Sequence, residues 1–186
     1  MLLELHSPRL TIRQINPDEC RLITAYFSTN ETYLNKTEPV RSASFYSETF
    51  WRQLLISEQK TDFEQNRLRL WLFEKDYPNT LIGSVSYYSF IRGVFQACTL
   101  GCSIAENKQG FGLMTEALIA TNRFLFMNRN FHRIMANCKA ENHRSIRLLE
   151  RLCFQKEGIA HQQVMMNGQW EDRLMYALVN NNWRAT

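Results

Sequence analysis

Apolar and polar residues alternate with period two along Arg9-Leu-Thr-Ile-Arg-Gln-Ile15, which predicts a strand with one buried face. Asp18 follows Pro17 and opens Glu19–Phe27, where Leu22, Ile23, Ala25, Tyr26 and Phe27 predict a short helix. Asn30–Arg41 mixes polar residues with Pro39 and predicts a loop. Phe45–Gln59, with Phe50, Trp51, Leu54 and Leu55 on its apolar side, predicts a second helix. Alternation returns in Arg67-Leu-Arg-Leu-Trp-Leu-Phe73, followed by turn chemistry at Asp76-Tyr-Pro-Asn79 and a partner strand over Leu81–Phe90. A further strand covers Phe95–Ile104 after a turn at Arg92-Gly93, so this stretch reads as an antiparallel meander.

The pattern then changes. Gly110-Phe-Gly112 precedes a run of strong helix formers from Leu113 to about Met127, and His132–Asn137 reads as a short strand. Asn142 is placed to cap a helix that puts Ile146, Leu149 and Cys153 on one face. Strand-like runs at His161–Met166 and Leu174–Val179 flank Asn167-Gly168, a strong hairpin dipeptide. The order β-α-α-β-β-β-α-β-α-β-β predicts a single α+β or mixed α/β domain over residues 1–186, with its core between about residues 9 and 180.

Composition narrows this only a little. The 186 residues are 45% hydrophobic, with 7 Gly and 4 Pro, which fits one packed core and excludes disordered and collagen-like chains. Lys+Arg exceed Asp+Glu by 22 − 18, or 4, a mild excess that does not commit the chain to nucleic acid. The segment Met1–Pro8 lacks the pattern of a secretory leader, and no run approaches the ~18 apolar residues of a membrane helix. The 5 cysteines form no C-x-x-C pair, which argues for reduced, mostly buried thiols over a disulfide framework or zinc site. The expectation is a cytoplasmic protein without a metal and without a membrane anchor.

The most informative stretch is Ala105-Glu-Asn-Lys-Gln-Gly-Phe-Gly-Leu-Met-Thr-Glu-Ala-Leu118. A strand ends, glycines follow at alternate positions, and a helix begins at once. Such glycines turn backbone N–H groups toward one point, and the helix N-terminus adds about half a positive charge. That suits a pyrophosphate, with Lys108 adding charge; from the spacing alone, a tight strand-to-helix turn explains it equally well. A Walker A loop would need Lys where Leu113 stands, and a dinucleotide fingerprint would need Gly at Thr115. Both are excluded.

Asn107-Lys-Gln-Gly-Phe-Gly112 resembles the Q/R-x-x-G-x-G/A loop of the GNAT superfamily of acetyl-CoA-dependent N-acetyltransferases. Asn142-His-Arg-Ser145, Leu148-Leu149 and Arg151-Leu-Cys-Phe154 resemble its second cofactor helix. Arg92–Cys98, Gly112-Leu-Met114, Glu116-Ala-Leu118, His132–Asn137, Glu157-Gly158 and Asn167-Gly-Gln-Trp170 are similar to the RimJ-like branch, the ribosomal-protein-alanine N-acetyltransferases. Several positions depart from that pattern: Cys102 stands for a Tyr, Cys153 for a Gly, and Gln163 and Arg173 for a Tyr and a His.

The resemblance implies the rest. The end of the strand, with Cys102, Ser103 and Ile104, would offer backbone groups to the pantetheine arm. Gln109, Gly110, Phe111, Gly112, Leu113 and Met114 would hold the pyrophosphate, and Asn137 and Asn142 would flank the thiol end. Ser145 would protonate the departing thiolate, a role many relatives give to a Tyr where Leu149 stands here. Asn30 and Glu38 match a substrate-side segment. The implied acceptor is the N-terminal alanine of a small-subunit ribosomal protein, with ribosome association as a corollary and no metal needed. Rival readings are the same chemistry on another protein N-terminus or small-molecule amine, and a ribosome- or RNA-associated module without turnover. The +4 charge and the stripe Arg144, Arg147, Arg151 speak for that module, although a solvated helix face accounts for the stripe as well.

Glu106 beside the loop is a candidate general base, against the plainer reading of a solvated carboxylate. His132 and His143 invite acid/base roles because imidazole as a group changes charge near neutrality, but a strand start and a helix cap explain them better.

Overall fold

A computed structural model describes residues 2–60 and 67–185. Its elements run β1 (Glu4–His6), β2 (Leu10–Arg13), α1 (Cys20–Leu34), α2 (Glu48–Lys60), β3 (Arg67–Glu74), β4 (Tyr77–Ile91), β5 (Ala97–Ile104), α3 (Leu113–Asn128), β6 (Arg133–Cys138), α4 (His143–Arg151), β7 (Gln155–Met166) and β8 (Gln169–Val179). The strands form one eight-stranded sheet in the order β1-β2-β3-β4-β5-β6-β8-β7. Every neighbouring pair is antiparallel except β5 and β6, which run parallel. This is the mixed, mostly antiparallel α/β fold that the pattern predicts.

Both faces of the sheet are covered. Along β3, Leu68, Leu70 and Leu72 enter a core with residues of α3 and α4, while Trp71 and Phe73 enter a second core with α1 and α2. A strand buried on both faces cannot keep a polar side, and this is why alternation fades after Leu70. The α1–α2 core is aromatic: the Phe27 and Trp51 rings stack at 5.5 Å, and Trp51 meets Trp71 edge-on at 5.7 Å. Such pairs add about 0.5–1.5 kcal/mol beyond the area they bury. On the other face the buried Tyr87 hydroxyl reaches Thr121 Oγ1 at 2.8 Å and Asn122 Oδ1 at 2.6 Å, tying β4 to α3.

The structure corrects several expectations. The first helix runs on to Leu34, so Asn30–Leu34 are helical and not loop; Asn30 and Leu34 continue the buried stripe of Cys20, Ile23, Tyr26 and Phe27. The turn before β4 is shorter than expected, because Tyr77 is already paired with Glu74. An additional strand, β1, pairs with β2; its three residues are too few to show a period. β7 begins at Gln155, ahead of the expected His161, with irregular register between Lys156 and Gly158 and between Ala160 and Val164 that hides the alternation. The Asn167-Gly168 turn is confirmed, with φ of 50° and 86°.

Cys153 departs from the apolar face expected for it: it is exposed and adopts φ 63° just beyond α4. Its N–H bonds the Glu150 carbonyl, and the Phe154 N–H bonds the Leu149 carbonyl at 3.0 Å, a helix stop that favours glycine. Cys153→Gly therefore relieves left-handed strain without removing a buried contact. It should stabilise the fold by about 1 kcal/mol and raise the melting temperature by about 2–4 °C in a thermal scan.

Candidate active site

The parallel pairing of β5 with β6 runs from Ala97 opposite Arg133 to Leu100 opposite Ala136 and stops there. β5 continues through Gly101, Cys102, Ser103 and Ile104 while still paired to β4, and β6 continues through Asn137 and Cys138 while paired to β8. The two strands therefore diverge and open a cleft in which one backbone edge of each is free of a strand partner. Those N–H and C=O groups can bind an extended amide chain and polarise a carbonyl.

At the wide end, the Ala105 N–H bonds the Ile82 carbonyl at 2.8 Å, and a 3-10 turn at Glu106–Lys108 leads into the glycines. Gly110 and Gly112 have φ of 82° and 76°, and Gly112 is the N-cap of α3. No side chain caps this helix, so its first-turn N–H groups remain available, whereas Asn142 Oδ1 caps α4 by accepting from the Ser145 N–H at 3.1 Å. A carbon placed on Gly110 would meet nothing within 4 Å. Gln109 accepts from Arg144 of α4 through its Oε1, while its buried Nε2 has no hydrogen-bond partner among the described residues. Open space, uncapped N–H groups, a spare amide donor and a guanidinium together fit an anionic diphosphate.

A clamp between residues far apart in the chain holds this loop. Glu116, on the first turn of α3, accepts from the Ser7 hydroxyl (2.7 Å), the Arg9 N–H (2.7 Å) and Arg9 Nε (2.8 Å), and Arg9 Nη1 bonds the Phe111 carbonyl at 3.0 Å. Desolvation raises the Glu116 carboxyl, but these hydrogen bonds together outweigh it, and its pKa lies below the ordinary carboxylate value. The only hint in the sequence is an acid in the first turn of a helix that lacks a cap.

The expected site residues divide into those on the cleft and those tied up elsewhere. Cys102, Ser103 and Ile104 lie on the diverging part of β5. Gln109, Gly110, Phe111 and Gly112 form the loop, and the side chains of Leu113 and Met114 are buried, leaving their backbone N–H groups for the site. Asn137 is the penultimate residue of β6, Asn142 is the N-cap of α4 and Ser145 lies in its first turn; no other described residue hydrogen-bonds the Ser145 hydroxyl. Lys108 is drawn away to Glu74 and borders the Tyr77 ring. Glu106 is exposed, and its N–H bonds Asn30 Oδ1 at 3.1 Å, while the Asn30 amide donates to the Tyr26 carbonyl at 2.9 Å. Both ends of Asn30 are thus used to brace α1 against the loop. His132 packs edge-on against Trp183 at 5.7 Å, and His143 is exposed in the first turn of α4.

Glu38 lies in the α1–α2 loop, paired with Arg41, whose guanidinium sits 4.1 Å over the Phe45 ring and 5.2 Å over Phe27. Burial raises the Tyr26 phenol above its ordinary range; the Ser103 hydroxyl, 3.1 Å away, opposes this and the Glu38 charge adds to it. Cys102 is exposed as a residue, and desolvation of its sulfur, with the Glu38 charge adding to it, pushes the thiol up to about 12. Glu38 thus acts electrostatically on both α1 and the cleft. Opposite, the hairpin tip reaches the same loop: the Val40 N–H bonds Asn167 Oδ1 at 3.0 Å. Arg173 of β8 is buried and pairs with Glu171, which pairs in turn with Lys139 after β6. Among the described residues, no three His, Cys, Asp or Glu side chains converge on a common point, and no helix is long and apolar enough to cross a membrane.

A sheet opened between two parallel strands, with a glycine loop and an uncapped helix at its mouth, defines an acetyltransferase scaffold. Residues 9–155 match the acetyltransferase (GNAT) domain family, and the chain belongs to it. It is 35% identical over 179 residues to the [ribosomal protein uS5]-alanine N-acetyltransferase of Escherichia coli, covering 96% of this chain and 92% of that one. The ribosomal-protein-S5-alanine acetyltransferase of Vibrio fischeri superposes with a TM-score of 0.92 at 30% identity, over 98% of this chain and all of the other. Mycobacterium smegmatis RimJ, solved in complex with CoA-disulfide, shares the fold with a TM-score of 0.85 at 19% identity, over 100% of this chain and 90% of that one. The protein is a GNAT-family N-acetyltransferase.

The requirement for glycine at the helix start is conformational and not steric, because a carbon on Gly112 would lie 3.7 Å from Arg9 Nη2, an ordinary contact. Gly112→Ala should cost about 1–2 kcal/mol in urea unfolding, and Gly112→Asn, which accepts a left-handed backbone, measurably less. Equal costs would point to crowding instead.

Proposed function

We propose that this chain transfers an acetyl group from acetyl-CoA to the free N-terminal alanine amine of a small-subunit ribosomal protein, by direct attack within a ternary complex, as one catalytic domain. The observation that carries the reading is the cleft between β5 and β6 with the uncapped start of α3 at its mouth, in a chain related over nearly its whole length to an alanine N-acetyltransferase.

Acetyl-CoA, when bound, supplies the acyl group as an activated thioester. The backbone N–H groups of α3, with Gln109 and Arg144, hold the diphosphate. The free edge of Gly101–Ile104 aligns the pantetheine arm and polarises the thioester carbonyl. An α-amine has a pKa of ~7.7–8.0, so about a tenth is already neutral near pH 7 and little help from a base is required. Glu38 meets the arriving ammonium from the α1–α2 loop, and Glu106 takes the proton through solvent. The Ser145 hydroxyl, carried on the first turn of the helix that Asn142 caps, protonates the departing thiolate. The protein's main work is alignment.

The test is CoA release with a peptide that begins in free alanine, beside the same peptide blocked at its N-terminus. Release with the free peptide alone is the expected outcome; release with neither, despite acetyl-CoA binding, would assign the chemistry to another amine. Ser145→Ala should lower kcat by about a hundredfold while acetyl-CoA affinity stays within a few-fold. Unchanged turnover would remove Ser145 from the mechanism.

A further inference from the structure

Three cations border the glycine loop: Lys108 is taken up by Glu74, and Arg144, which bonds Gln109, is already placed with it at the diphosphate. The third, Arg9, arrives from the β1–β2 turn, far away in sequence. Its Nε is held by Glu116 at 2.8 Å and its Nη1 by the Phe111 carbonyl at 3.0 Å. Its Nη2 has no hydrogen-bond partner among the described residues and lies beside Gly112, 3.7 Å from where a side-chain carbon there would sit. The Arg9 side chain is 51% exposed, so this last donor is open to a ligand.

We infer that Arg9 is a binding residue for the cofactor diphosphate: Glu116 and Phe111 fix its guanidinium plane, and the remaining Nη2 presents a charged donor to the phosphate held at Gly112. This rests on the acetyl-CoA reading above. The electrostatics require some such group. Glu116 is an ionised carboxylate on the first turn of the helix whose N-terminus receives the diphosphate, and left alone it would repel the ligand. Arg9 neutralises Glu116 and keeps one further donor, Nη2, beside Gly112. A planar fork with donors fixed at both ends does this; an ammonium cannot satisfy Glu116, the Phe111 carbonyl and a phosphate with the same geometry.

The experiment is calorimetric titration of CoA and of 3′-dephospho-CoA, which retains the diphosphate, into the wild-type chain, Arg9→Gln and Arg9→Lys, at low and high salt, with melting temperatures recorded. Arg9→Gln should weaken both ligands by the same factor, about tenfold, as expected for loss of one charge-assisted hydrogen bond. It should also flatten the salt dependence, and Arg9→Lys should recover part of the affinity. Unchanged affinity, a loss seen with CoA but not with dephospho-CoA, or a loss with an unaltered salt slope would each overturn the assignment; the last would leave Arg9 as a loop brace only. If Arg9→Gln does not fold, Arg9→Lys decides the matter through the same ratio. A wild-type chain that binds neither ligand would instead refute the acetyl-CoA reading, and the Arg9 role with it.

Discussion

The parallel ladder between β5 and β6 ends at Leu100 and Ala136, and the site depends on that ending. Antiparallel neighbours can be joined by a tight turn, but parallel ones require a crossover. Here the crossover is α3, and it must start where β5 finishes. Its positive N-terminal end is therefore delivered to the wide end of the cleft that the diverging strands open. Backbone groups for an extended arm and N–H groups for an anion come together through this one topological feature.

The cleft keeps its shape because phenols tie the helix layers to the strands beside it. Tyr87 joins β4 to α3, and Tyr26 of α1 reaches Ser103 of β5, which is itself 3.1 Å from Ser84 of β4. Each is a buried or part-buried bond between elements that the hydrophobic cores alone would leave free to slide. The Ser7–Arg9–Glu116 contacts do the same for the loop, fastening the N-terminal turn to the first turn of α3.

The two halves of the site are built from different material. The cofactor side consists mainly of backbone groups held by glycine dihedrals and strand pairing, which tolerate wide changes in sequence. The α1–α2 loop and the last hairpin, the proposed acceptor side, are held instead by side chains: Glu38 paired with Arg41, the Val40–Asn167 contact, and the Arg173–Glu171–Lys139 chain. The departure at Arg173 lies on that second side.

Much of this protein was legible in the residue pattern, because it rests on local signals. Period-two runs mark β2 and β3, turn residues mark β4 and β5 beside them, Asn142 announces the cap of α4, Asn167-Gly168 the hairpin, and Gly110-Phe-Gly112 the start of α3. What the pattern did not carry was set by distant partners. Asn30 looked like part of a substrate loop until its amide was found bracing Glu106 across the fold. Lys108 looked available until Glu74 claimed it, and Arg9 looked like the start of a strand. By itself the sequence determined most of the elements and the glycine turn into α3, since side-chain period and glycine dihedrals act over a few residues. Only the tertiary structure decided where the strands part and which charges remain free, because both depend on which groups far apart in the chain meet and satisfy one another.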